Sequence, residues 1–125
     1  MINGGNVTIF VSDFERALHF YTDVLGMPLR MRAESFWAEV VAGPDLVIGI
    51  HPESEAAAKP GTVGAMQIGL NVDGSLADLM ITLKEKGVEF VGEMVDDAGA
   101  GRFARFHDPD GNHLYLWEAA AVESS

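Results

Sequence analysis

The feature that most constrains the fold of this chain is an internal repeat. In the first copy, an alternating, β-prone stretch ends at Val11, and apolar residues at helical spacing then continue until Gly26. In the second copy, the same pattern leads from a strand that ends at Val72 to Gly87. Val72 follows Val11 by 61 positions (72 − 11), and each strand end precedes its glycine by 15 residues (26 − 11 and 87 − 72). The chain therefore contains two copies of one structural unit.

Helix-capping sequences and short β-type runs complete each unit. Ser12 and Glu15 form a capping box that predicts the start of the first helix, and Ser75 offers a cap for the second. The β-type runs that follow the helices lie at 31–41 and 46–51 in the first copy, and at 88–91, 102–107 and 113–117 in the second. Each copy therefore reads βαβββ.

The length of the chain, 125 residues, suits one domain with a single core. We expect module one at about residues 5–54, a linker at about 55–63 and module two at about 64–119. Loops are expected at 52–62 and 92–101, because both stretches are rich in glycine and alanine. We expect these loops to shape any pocket.

Composition excludes several classes of function. The net charge is −11 with only 8 Lys and Arg, so nucleic acid is not an expected partner, whereas cationic ligands would be attracted. The chain has no cysteine, which removes disulfides, thiolate nucleophiles and cysteine-bound metals. It has no apolar run long enough to span a bilayer and no signal-peptide pattern at its start. We therefore expect a cytoplasmic protein without a membrane partner.

Strand alternation predicts a covered face and an open face on each sheet. The covered side chains are apolar: Val7, Ile9, Val11, Ile68, Leu70, Val72, Leu114 and Leu116. The alternate side chains are polar and aromatic: Asn6, Thr8, Phe10, Gln67, Gly69, Asn71, His113, Tyr115 and Trp117. A single strand with this pattern would indicate only the solvent-exposed face of an open sheet, but three strands with polar and aromatic side chains on one face favour a ligand cavity.

These residues resemble the vicinal oxygen chelate superfamily, which includes glyoxalase I, extradiol dioxygenases and the fosfomycin- and bleomycin-resistance proteins. The resemblance covers residues 6–118, and its most specific parts are 6–13, 17–26 and 106–112. It implies an α+β fold in which two βαβββ modules form a U-shaped half-barrel around a cavity, with the helices on the outer face. It also implies a homodimer, which exposed edge strands would favour.

The resemblance places the superfamily's metal ligands on four residues of this chain. The first-strand positions fall on Asn6 and Gln67, and the last-strand positions fall on Gly49 and Tyr115. None of the four is His, Asp or Glu, so these residues suit a metal ion poorly. We therefore expect no metal and no cofactor at this site. His51 and His113 share strand parity with Gly49 and Tyr115, which leaves a displaced two-histidine site as an alternative.

The same resemblance relates two inward-facing residues of the first module to two inward-facing residues of the second. An offset of 66 (115 − 49) relates Trp37 to Phe103 and Glu39 to Arg105. Glu39 and Arg105 are expected to form a salt bridge across the barrel floor. If they do not, Arg105 would bind an acidic group of a ligand and Glu39 a cationic one.

Three functional hypotheses follow from these residues. The first is a metal-free, bleomycin-resistance-like protein that sequesters an antibiotic or metabolite, cationic or aromatic, between aromatic side chains. The second is a metal-dependent lyase, isomerase or dioxygenase with an atypical ligand set, such as His51, His113 and Glu39. The third is metal-free catalysis with His113 or Glu39 as the base. The predicted ligand-binding residues are Asn6, Thr8, Trp37, Glu39, Gly49, His51, Gln67, Asn71, Phe103, Arg105, His113, Tyr115 and Trp117.

Overall fold

The computed structural model describes residue 1 and residues 5–55, 58–62, 65–97 and 99–120. The first half of the chain forms β1 (Val7–Val11), α1 (Phe14–His19), a π-helical segment (Phe20–Val24), β2 (Leu29–Ala33), β3 (Trp37–Val41) and β4 (Val47–Pro52). The second half forms β5 (Gln67–Asn71), α2 (Leu76–Glu85), β6 (Phe90–Asp97), β7 (Gly101–His107) and β8 (His113–Ala119). This order contains the βαβββ unit twice, as the repeat predicts.

The eight strands form two open four-stranded sheets with the same topology. The first sheet has the order β1-β4-β3-β2 and the second has the order β5-β8-β7-β6. In each sheet the first and last strands of the unit pair in parallel, and the remaining pairs are antiparallel. The α+β class and the two half-barrel modules are therefore confirmed. Among the described helices, none is long and apolar enough to cross a membrane.

The apolar core lies between the covered faces of the sheets and the helices. It includes the predicted side chains Ile9, Val11, Ile68, Leu70, Leu114 and Leu116, all of which are buried. The prediction for Val7 is wrong, because this side chain is 43% exposed. Val7 is the first residue of β1, whereas Ile9 and Val11, farther along the same strand, are fully buried.

The first helix begins one residue later than its capping box predicts. Asp13 is the N-cap, and its side chain accepts a hydrogen bond from the backbone N–H of Arg16. The Ser12 backbone N–H and hydroxyl instead donate to the carboxylate of Asp110, in the turn before β8. The Ser75 prediction is confirmed, since its hydroxyl accepts from the N–H of Asp78.

The predicted loop at 92–101 is wrong for most of its length. Residues 92–97 belong to β6, which pairs with β7 as far as Asp97 opposite Gly101. The register shifts between Val91 and Val95, and Gly92 has a φ of 74° at this irregularity. The glycine therefore permits a bulge within a strand rather than ending it. Part of the predicted linker at 55–63 lies outside the described residues.

A buried carboxylate joins the two halves of the chain. Asp108 accepts hydrogen bonds from the Tyr21 hydroxyl (2.8 Å), from the Asp110 N–H (3.0 Å) and from the backbone and side-chain N–H groups of Asn112 (2.8 and 2.9 Å). The Asn112 side-chain oxygen in turn accepts from the N–H of Gly61 at 3.0 Å. Burial, followed by the charge of Asp108, raises the pKa of Tyr21 well above its usual value. This part of the 106–112 segment therefore holds the two halves of the chain together.

Candidate ligand-binding cavity

The open face of the second sheet presents its side chains in cross-strand rows. Because alternate residues share a face, paired positions on β5, β8, β7 and β6 stand side by side. The first row is Gln67, His113 and His107, the second is Gly69, Tyr115, Arg105 and Val91, and the third is Asn71, Trp117, Phe103 and Val95. A cavity of about 550 Å³ lies over these rows and is lined by Gln67, Gly69, Asn71, Phe103, Arg105, Tyr115 and Trp117.

Three aromatic rings form most of the apolar wall of this cavity. Phe103 and Trp117 lie on adjacent strands with their rings stacked, 6.4 Å between centroids and 26° between planes. Tyr115 lies across Gly69, where a Cβ atom would overlap the phenol ring. Gly69 therefore allows Tyr115 to lie flat against the sheet, which keeps the cavity open above it.

Arg105 is the charged side chain of the cavity. Its guanidinium carbon lies 5.6 Å from the centroid of the Phe103 ring, within the range of a cation–π interaction. Its cross-strand neighbours are Tyr115 and Val91, which carry no charge. Arg105 forms no ion pair with any residue in the described part of the chain.

The first sheet has side chains at the equivalent row positions, but the contacts that these side chains make differ from those in the second sheet. Trp37 covers Gly49, where a Cβ would overlap the indole ring, and its indole N–H donates to Glu39 at 2.9 Å. The other carboxylate oxygen of Glu39 lies 3.4 Å from the Nε of Arg30. The predicted salt bridge between Glu39 and Arg105 is therefore wrong: each belongs to a different sheet, and Glu39 has closer partners on its own.

The predicted ligand-binding residues consequently fall into two groups within one chain. Gln67, Asn71, Phe103, Arg105, Tyr115 and Trp117 line the 550 Å³ cavity, and His113 stands in the adjoining row. The first-sheet residues do not line it. Asn6 and Glu39 border a second pocket of about 580 Å³, and Thr8 borders a third of about 370 Å³. Trp37, Gly49 and His51 form a cluster in which the rings of Trp37 and His51 lie 6.3 Å apart.

The four residues at the superfamily's metal positions do not fit a metal ion. Gly49 has no donor and is covered by Trp37, while Tyr115 packs against Gly69. Asn6 and Gln67 contribute only neutral amide oxygens, which hold a divalent ion weakly without a carboxylate or imidazole beside them. Over the described ranges, no group of three or more His, Asp and Glu side chains is arranged to hold a metal.

The two histidines of the predicted displaced site lie in different sheets. His51 lies in the first sheet with its Nδ1 2.6 Å from the carbonyl oxygen of Pro52, and its ring is 5.3 Å from that of Phe10. His113 lies in the second sheet, 4.6 Å from His107 between ring centroids. The strand parity of β7 places His107 on the same face as Arg105, a signal that sequence reasoning missed. His19 is exposed and pairs with Asp23 at 2.7 Å.

The chain thus combines two open four-stranded sheets of the same βαβββ topology, one of which carries a cavity lined by aromatic side chains. The model of the glyoxalase/bleomycin resistance protein/dioxygenase superfamily matches residues 5–116, and the chain therefore belongs to this superfamily. A comparison with curated protein sequences gave no significant match.

Several solved structures are similar to this chain over nearly its whole length. TnmS3, an antibiotic binding protein from Streptomyces sp. CB03234, is 26% identical with a TM-score of 0.78, over 96% of this chain and 98% of that one. A superfamily member from Sphaerobacter thermophilus DSM 20745 is 28% identical with a TM-score of 0.76, over 94% and 98%. A glyoxalase/bleomycin resistance protein, also from Streptomyces sp. CB03234, is 27% identical with a TM-score of 0.73, over 92% and 99%.

Proposed function

We propose that this protein binds an aromatic small molecule, without a metal ion, over the open face of the second sheet. The observation that carries the proposal is the cavity formed by Phe103, Tyr115 and Trp117 with the polar side chains of Gln67 and Asn71. Its volume of about 550 Å³ lies in the usual range for drug-sized ligands. Stacked rings bind flat molecules through a large contact area, and the few amides at the edge fix their orientation.

The biological role that fits this site is sequestration of an antibiotic or a related metabolite. TnmS3 is an antibiotic binding protein, and its similarity to this chain extends over both modules. The residues at the superfamily's metal positions are two amides, a phenol and a glycine, which disfavours the alternative of a metal-dependent lyase, isomerase or dioxygenase. Binding alone would keep a toxic molecule from its target, so sequestration requires no catalytic group.

We further propose that the protein is a homodimer in which a second copy covers the cavity. The cavity is bounded by one sheet, and the aromatic cluster of the first sheet does not reach it within the chain. The edge strands β2 and β6 also expose apolar side chains, Leu29, Met31, Val91 and Val95. Sedimentation equilibrium at micromolar concentration should give twice the monomer mass, whereas a monomer mass would contradict this arrangement. The cytoplasmic location and the module boundaries stay predictions.

An NMR titration with 2-naphthamide, a flat and uncharged probe, tests the binding proposal. Backbone amide signals of β7 and β8 should shift in the wild type. Phe103→Leu removes one stacked ring and should weaken binding about tenfold, the scale of an aromatic contact with its buried area. Phe36→Leu is the matched control, because Phe36 lies in the exposed turn between β2 and β3. Equal affinity in the two variants would reject the proposal, and so would the absence of any shift in the wild type with both this probe and its carboxylate analogue, 2-naphthoate, at millimolar concentration.

A further inference from the structure

The charge inside the cavity differs from that of the chain as a whole. The net charge of −11 favours a cationic ligand when the molecule is viewed from a distance. Interactions between charges more than about 8 Å apart are largely screened at physiological salt, so the groups that touch the ligand determine which ligand charge the cavity favours. Arg105 is the charged residue among those that line the cavity, and the polar residues around it are neutral. The ligand therefore meets a positive environment.

The equivalent position in the first sheet carries a charge that is neutralised within the chain. Glu39 stands at the row position that corresponds to Arg105, and both of its carboxylate oxygens have partners, Trp37 and Arg30. On the same strand as Arg105, Arg102 lies 3.6 Å from Asp96. Arg105 has an aromatic face as its neighbour instead, and it has no carboxylate partner among the described residues.

A guanidinium that stacks on a ring keeps its edge N–H groups available. These donors form a planar fork that matches the two oxygens of a carboxylate. Phe103 and Arg105 occupy neighbouring rows of one strand, about 7 Å apart along the strand direction. A ligand ring that lies over Phe103 and Trp117 would place an acidic group at Arg105 if the group is attached directly to the ring or through a short linker.

We propose that Arg105 makes this cavity selective for aromatic acids, with the carboxylate bound by the guanidinium and the ring held against Phe103 and Trp117. This inference rests on the proposed function, since it assigns a charge to the ligand of the same cavity. It replaces the cationic ligand that the composition suggests. The ligand class is a flat ring system with a carboxylate, or an acidic group of similar shape, close to the ring.

Three probes that share one ring separate the effect of charge from the effect of the ring. They are 2-naphthoate, the neutral 2-naphthamide and the cationic 2-naphthylmethylammonium, each titrated by NMR into the wild type. We expect 2-naphthoate to bind at least about tenfold more tightly than 2-naphthamide, as a charge-assisted pair allows, and the ammonium to bind most weakly. Similar affinity for all three, or a preference for the ammonium, would overturn the inference.

Two substitutions of Arg105 and one control assign the preference to a residue. Arg105→Gln should bring 2-naphthoate and 2-naphthamide to similar affinities, and Arg105→Lys should retain part of the preference because it keeps the charge without the fork. Arg102→Gln is the control, because Arg102 is on β7 but faces away from the cavity. A preference that survives in Arg105→Gln would refute the role of Arg105. Equal binding of the probes would refute only the charge selectivity, whereas no binding of any probe would refute the binding function itself.

Discussion

Replacement of Tyr21 by phenylalanine tests the hydrogen-bonded connection between the two halves of the chain. Tyr21 is fully buried, and its hydroxyl donates at 2.8 Å to Asp108, whose carboxylate is also buried. A hydrogen bond to a charged group contributes about 1.5–3 kcal/mol. In Tyr21→Phe the Asp108 carboxylate loses one hydrogen-bond donor but still accepts hydrogen bonds from Asp110 and Asn112.

The expected loss of stability can be converted into a melting temperature. For a domain of this size each 1 kcal/mol changes Tm by about 4 °C, so Tyr21→Phe should melt about 6–12 °C below the wild type. Circular dichroism melts and urea titrations at pH 7 measure the change. Tyr115→Phe is the matched control, because its hydroxyl makes no hydrogen bond to another described residue and its removal should cost less than about 0.5 kcal/mol. Equal Tm values for the two variants would refute this role of Tyr21.

The raised pKa of Tyr21 adds a pH dependence with a definite sign. Burial and the Asp108 carboxylate keep the folded-state pKa above the unfolded value of about 10, so the unfolded chain loses this proton first as the pH rises. The wild type should therefore lose up to about 1.4 kcal/mol of stability per pH unit above pH 10 through this group. Tyr21→Phe should lack that component. Urea titrations at pH 9, 10 and 11 measure it, and identical slopes in both proteins would contradict the explanation.

Three further predictions concern the backbone, the assembly and the metal. Gly61→Ala should lower the free energy of unfolding by more than about 3 kcal/mol in a urea titration, because φ is 80° and a Cβ would overlap the carbonyl oxygen of Asp110. Gly74→Ala is the control: its φ is 91°, but a Cβ there would meet no other atom, so the loss should be only about 1–2 kcal/mol. Equal losses in the two variants would contradict the overlap at Gly61. A mixture of equal amounts of Trp37→Ala and Trp117→Ala chains should show about a quarter of the wild-type number of 2-naphthamide sites if each site uses Trp37 of one copy and Trp117 of the other, because about half of the dimers are mixed and each of these holds one intact site. About half of the sites should remain if each site uses one copy, because Trp37 does not line the cavity within a chain. Dialysis against EDTA should leave 2-naphthamide affinity unchanged, and a loss restored by zinc would refute metal-free binding.

The sequence alone predicts the parts of the structure that depend on periodicity. The repeat at Val11 and Val72 predicts the two βαβββ sheets, and strand alternation places Tyr115 and Trp117 on the open face. Both signals are local, since each strand exposes every second side chain regardless of its neighbours. Glu39 and Arg105, which are 66 residues apart, also occupy equivalent row positions in the two sheets, as the sequence predicts.

Pairings over long distances could not be predicted in the same way. The partner of Glu39 depends on how β2 folds back on β3, which brings Arg30 closer to it than Arg105. Ser12 caps no helix, because the turn before β8 offers it the carboxylate of Asp110. Gly92 resembles a loop residue in the sequence, although it occupies a bulge in β6 whose partner lies in β7. In each case the deciding contact comes from another element of the fold.

A crystal structure of the protein with 2-naphthoate is the most direct test of the binding account. The account predicts density for the naphthalene ring against Phe103 and Trp117, with the carboxylate within hydrogen-bond distance of Arg105. Density for the probe only in the separate pocket beside Arg30 and Asp45, with the aromatic side chains of the second sheet untouched, would contradict it.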